Sequence, residues 1–161
     1  MVTMALAFRN KTERFGVTSS DEGEKQVDRV FLGLVGGAYV GLALWCALAP
    51  ESTSRSVGFE LRPGSGQSEF LTVYGGLEWG LGLVFLDPVI RRRPTGFALQ
   101  TCLVIHVSLV AFRSLAFLLY RDLPTTTLTL AATEWIIALA SGACWWSSRS
   151  RLAKSTEPSG R

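Results

Sequence analysis

A chain of 161 residues is one domain's worth, and 48% of it is hydrophobic, with a mean hydropathy of +0.28. The apolar residues are gathered into four long runs, not alternated, which excludes a half-buried sheet and indicates helices of about 20 residues that cross a membrane. The net charge of +3 is modest, and no basic face interleaved with aromatics exists, so nucleic acid is excluded as a partner.

Residues 1–28 read as a polar tail of mixed charge. No apolar core and small-residue cleavage site mark a secretory signal, and Glu13, Asp21, Glu22 and Glu24 argue against a transit peptide. The first span is expected over 29–49. Gly33, Gly37 and Gly41 lie four residues apart on one face, where small residues let a second helix approach closely. Tyr39 falls near mid-depth, with a hydroxyl that can point inward, and Pro50 ends the span. Residues 51–68 form a loop with Pro63, Gly64 and Gly66 as turn residues.

The second span, 69–90, carries Glu78 near its centre among Gly75, Gly76, Gly80 and Gly82, with Gly76 and Gly80 as a second small pair. A charge there is costly, roughly 2.5–3.5 kcal/mol on insertion scales, so a partner is expected. Asp87-Pro88 closes the span, and Arg91, Arg92 and Arg93 follow. The third span, 96–120, holds His106 and, seven residues on and so on the same face, Arg113. The fourth, 125–146, has Glu134 near mid-depth, and 148–161 is a second polar tail. Cys46, Cys102 and Cys144 each lie inside an apolar run without a CxxC pair, as packing residues do.

The basic residues orient the chain. The N-terminal tail has five (Arg9, Lys11, Arg14, Lys25, Arg29), the 91–95 loop three, and the C-terminal tail four (Arg149, Arg151, Lys154, Arg161). The two remaining loops have two (Arg55, Arg62) and one (Arg121). By the positive-inside rule both termini face the cytoplasm.

Counting ~1.5 Å per residue from each span's midpoint places Glu78 and Glu134 at similar depth and Arg113 about 8 Å to the outer side, within reach of a long guanidinium. Tyr74 is one turn from Glu78, and His106 lies near the midplane. Glu78, Arg113, Glu134, Tyr74 and His106 therefore form the candidate polar site. It serves either as a structural clamp in which Arg113 pairs with both carboxylates, or as a functional site opening outward. No metal is expected at Glu78, Glu134 and His106, since no ligand motif such as HExxH holds them, and no cofactor motif is present.

The run YGGLEWGLG at 74–82 resembles the YGGLxLGLG core of a family of small bacterial four-helix membrane proteins, the domain of unknown function 4345. The likeness extends from about the first span to the fourth and includes Glu69 before the motif and Arg113 in the third span. Trp79 departs from the aliphatic residue usual there. The resemblance implies a bundle in the inner membrane and no reaction. The expected architecture is all-α, a four-helix transmembrane bundle with both ends cytoplasmic. The expected role is a non-enzymatic binding or accessory subunit in the bilayer, for a lipophilic small molecule or a membrane-protein partner. The alternative is an intramembrane enzyme or proton-coupled carrier using Glu78 and Glu134 as acid and base.

Overall fold

The computed structural model describes the backbone of residues 2–121 and 123–156, and the side chains of 22–121 and 123–150. Among the described residues there are helices and no strand. Six α-helices follow in order: α1 (Val2–Leu48), α2 (Pro50–Ser56), α3 (Ser65–Phe70), α4 (Glu78–Ile90), α5 (Gly96–Leu119) and α6 (Thr125–Thr156). A π-helical segment, Leu71–Leu77, joins α3 to α4 without a break. Four stretches are long and apolar enough to cross a membrane: Glu22–Leu48, Ser65–Ile90, Gly96–Leu119 and Thr125–Ser150.

The helices run past the expected spans at the polar margins. The first helix begins well before residue 29, and the last continues past 146. Glu, Lys, Gln and Arg are good helix formers, and without a proline or paired glycines nothing stops the helix where the hydropathy falls. Pro50 does not simply end the first span. It starts α2 at the first helical position, where its missing N–H is no loss. α2 folds over the end of α1 and buries Thr53 and Ser54, whose hydroxyls donate to the carbonyls of Ala49 (2.8 Å) and Glu51 (3.1 Å). Pro88 lies inside α4, two residues from its end, so the helix runs on to Ile90.

The bundle is built from two helix pairs. α1 packs along α4 and the π-helical segment, and α5 packs along α6, whereas contacts between the pairs are sparse. The pairs meet through one buried cluster of Leu32, Val35, Phe85, Ala98, Leu99 and Cys102, which sits toward the end that carries the 91–95 loop. Thr95 donates to the buried Asp28 at 3.4 Å and ties that loop to α1. The loop leaves α4 through Arg92 in the left-handed region (φ 53), and Asp87 holds Arg91 and Arg93 at 3.3 and 3.6 Å.

The close approach of α1 to α4 uses Gly82, one of the glycines expected to clear room, with Gly36 in place of the expected four-spaced sets. A Cβ on Gly36 would lie 2.8 Å from Leu86 Cγ and 3.0 Å from the Gly82 carbonyl oxygen. A Cβ on Gly82 would lie 2.7 Å from Val40 Cγ2 and 3.0 Å from the Gly36 carbonyl oxygen. Two backbones therefore touch at Gly36 and Gly82. Gly37, Gly41, Gly76 and Gly80 have open space where a Cβ would go, and Gly33 meets only Val89 at an ordinary 3.9 Å. The correction has a geometric cause. Spacing by four defines a face but not which way it points, and one residue along a helix turns that face by about 100°.

Candidate functional site

The π-helical segment Leu71–Leu77 sets the position of Glu78, the first residue of α4. Such wide turns are rare and recur at functional sites, because one extra residue rotates everything beyond it. Gly75 permits it locally. It is buried, and a Cβ there would press to 3.2 Å on Leu71 Cδ1 in the preceding turn. Tyr74, in the same segment, stacks on Phe70 (centroids 4.7 Å apart, planes at 23°) and meets Phe59 at 5.9 Å.

Arg113 and Glu134 come together as the helical count expects. Arg113 Nε donates to Glu134 Oε2 at 3.0 Å, and its Nη2 donates to Oε1. This bidentate fork joins α5 to α6 and occupies both carboxylate oxygens, the geometry in which a guanidinium pair is strongest. The two side chains are 27% and 14% exposed.

Glu78 does not join that pair. Its side chain is half-buried, and its Oε2 is buried with no hydrogen-bond partner. The expected clamp of Arg113 on both carboxylates is therefore corrected to a clamp on Glu134 alone. Arg113 and Glu134 sit on adjacent helices of one pair, whereas Glu78 belongs to the other pair across a seam of sparse contacts. Depth along a helix axis is additive and countable, but lateral placement is not.

Tyr74 lies one turn before Glu78 in the same continuous helical stretch. Tyr39 lies on α1, the helix packed along α4. The Tyr39 ring packs edge-on against Phe85 (5.5 Å) and His106 (5.8 Å). His106 is fully buried on α5. Its Nδ1–H donates to the Cys102 carbonyl at 2.8 Å, since a carbonyl can only accept, and the neutral ring then accepts at Nε2 from the Tyr39 hydroxyl at 3.2 Å. His106 thus belongs to a layer that bonds α1 to α5, next to the site but not in contact with its carboxylates.

Tyr39 is the residue whose role was only half legible. Its mid-span hydroxyl was a signal for an inward polar group, and its partner was not. Among the described residues, no group of three or more His, Cys, Asp or Glu side chains is placed to hold a metal ion. The site offers one buried acceptor without a donor, with Tyr74 one turn away, while the guanidinium of Arg113 is already engaged by Glu134.

Comparison with known proteins adds no assignment. No family model, no curated protein and no solved structure matches the chain.

Proposed function

We propose that the chain is a multi-pass protein of the cell inner membrane with both termini cytoplasmic, and that it acts as a non-enzymatic binding or accessory subunit through Glu78. Membrane residence is supported by the apolar side chains that the bundle leaves outside, Leu34, Phe112, Leu118, Ile136 and Leu139 among them. It is supported too by hydroxyls on the helix exteriors. Thr72, Ser108, Ser114, Thr129 and Thr133 each donate to the carbonyl four residues back, which satisfies them where no water is at hand. The tails and the 91–95 loop hold the excess of Lys and Arg, which supports the orientation. The likeness of 74–82 to the domain of unknown function 4345 agrees with this architecture and supplies no ligand. The orientation is tested by single-cysteine labelling on a background without Cys46, Cys102 and Cys144. A membrane-impermeant thiol reagent is expected to modify a cysteine at Ser65 from outside and not one at Ser155, and the reverse pattern would overturn it.

The observation that carries the binding reading is the buried Oε2 of Glu78, which has no partner. A packing residue would be satisfied within the fold, as Glu134 is, because an unmet buried polar group is costly. The enzyme or carrier reading needs two free carboxylates. Glu134 has both oxygens on Arg113, which leaves that reading one acid short. Dicyclohexylcarbodiimide, a membrane-soluble reagent for carboxyl groups, tests the proposal. In native membranes it is expected to add to Glu78 and to spare Glu134, as read by mass spectrometry of the digested protein. An unmodified Glu78 beside a modified Glu134 would overturn the site, and so would no modification of either.

A further inference from the structure

The groups around Glu78 select among ligand chemistries. In its ionised form Glu78 Oε2 can only accept, so a ligand that holds it ionised at this depth brings an N–H or O–H donor. An anionic ligand would need a free cation, and Arg113 is committed to Glu134 through Nε and Nη2. A metal ion would need several ligating side chains together, and no such group exists among the described residues. Aromatic groups lie on both sides along the helix axes. Tyr74 lies one turn toward the outer end and is in ring contact with Phe70, a further turn out, and with Phe59, while Tyr39 on α1 packs on Phe85, two turns along α4 in the other direction. Aromatic faces attract cations and give an apolar body surface to lie on.

Depth decides the source of the cation. Glu78 is central in the Ser65–Ile90 stretch, about 15 Å from either interface of a hydrocarbon core about 30 Å thick. The ammonium of a lipid headgroup stays at that interface. A free amine with an apolar body can partition to the centre and reach Glu78, whose side chain is only half-buried.

We infer that the Glu78 site binds a lipophilic amine in its protonated form, with the ammonium N–H on Glu78 and the apolar body against Tyr39, Tyr74 and Phe70. This rests on the reading of Glu78 as a binding site. The occupied site is electrically balanced, since the ammonium neutralises Glu78 as Arg113 neutralises Glu134.

The test uses N,N-dimethylphenethylamine as probe, titrated calorimetrically into the full-length protein in detergent at pH 7.5. Phenylacetate and ethylbenzene serve as the anionic and neutral analogues. Saturable binding of one amine per chain is expected, with no saturable binding of either analogue. Glu78→Gln should weaken amine binding by at least about tenfold, the loss expected for one charge-assisted hydrogen bond. Glu78→Asp, which keeps the charge, should retain part of it. Amine binding unchanged in Glu78→Gln, or phenylacetate binding at least as tightly as the amine, would overturn the inference. Carbodiimide modification of Glu78 separates the two ideas. A modified Glu78 with no amine binding defeats the amine alone, whereas an unmodified Glu78 defeats the site on which it rests.

Discussion

Arg113→Leu is expected to lower the stability of the bundle by about 3 kcal/mol, the low end of what breaking a buried pair costs. The figure sits at the low end because the guanidinium is 27% exposed and the carboxylate 14%. The substitution strands both oxygens of Glu134 between α5 and α6. Adding Glu134→Gln should return much of the loss, because an amide is far cheaper to leave in an apolar seam than an unpaired charge. Adding Glu78→Gln instead should return none, since no hydrogen bond or ion pair joins Glu78 to Arg113. Arg113→Lys should fall between, keeping the charge and losing the fork. The measurement is a pair of double-mutant cycles of unfolding in detergent. Coupling between residues 113 and 78 as large as that between 113 and 134 would mean that the two helix pairs close on one shared charge cluster. The description of Glu78 as a separate site would then fail.

Gly36→Leu and Gly82→Leu should be the most damaging changes to the α1–α4 contact. Even alanine at either position places Cβ within 3.0 Å of the other helix's carbonyl oxygen, and backbone cannot step aside as a flexible side chain can. Overpacking of this kind costs about 1–3 kcal/mol for added methylenes, and leucine at a backbone contact should reach or pass the upper end. Gly37→Ala, Gly76→Ala and Gly80→Ala should be neutral or stabilising by up to about 1 kcal/mol, since alanine is the better helix former and nothing stands within 4 Å. Thermal unfolding of the purified variants decides the matter. A normal melt for Gly36→Leu together with a collapsed melt for Gly37→Ala would place the crossing on the other face.

The class of the fold and the pairing of Arg113 with Glu134 were legible in the residues alone. Four apolar runs became four membrane-length helices, because hydropathy and length are sums over residues and need no neighbour to evaluate. Arg113 and Glu134 met as the 1.5 Å rise predicts, because depth along a helix is also a sum. Tertiary structure alone decided how the helices face one another. It turned the α1–α4 contact onto Gly36 and Gly82, since a face defined by spacing carries no direction. It gave Arg113 to Glu134 and withheld it from Glu78, since the α5–α6 pair is continuous and the seam between pairs is not. It joined Tyr39 to His106, residues 67 apart in the chain, by a contact that no local pattern encodes. The π-helical segment before Glu78 belongs to the same category. A single extra residue per turn leaves composition and hydropathy unchanged, yet it rotates the carboxylate relative to every helix around it.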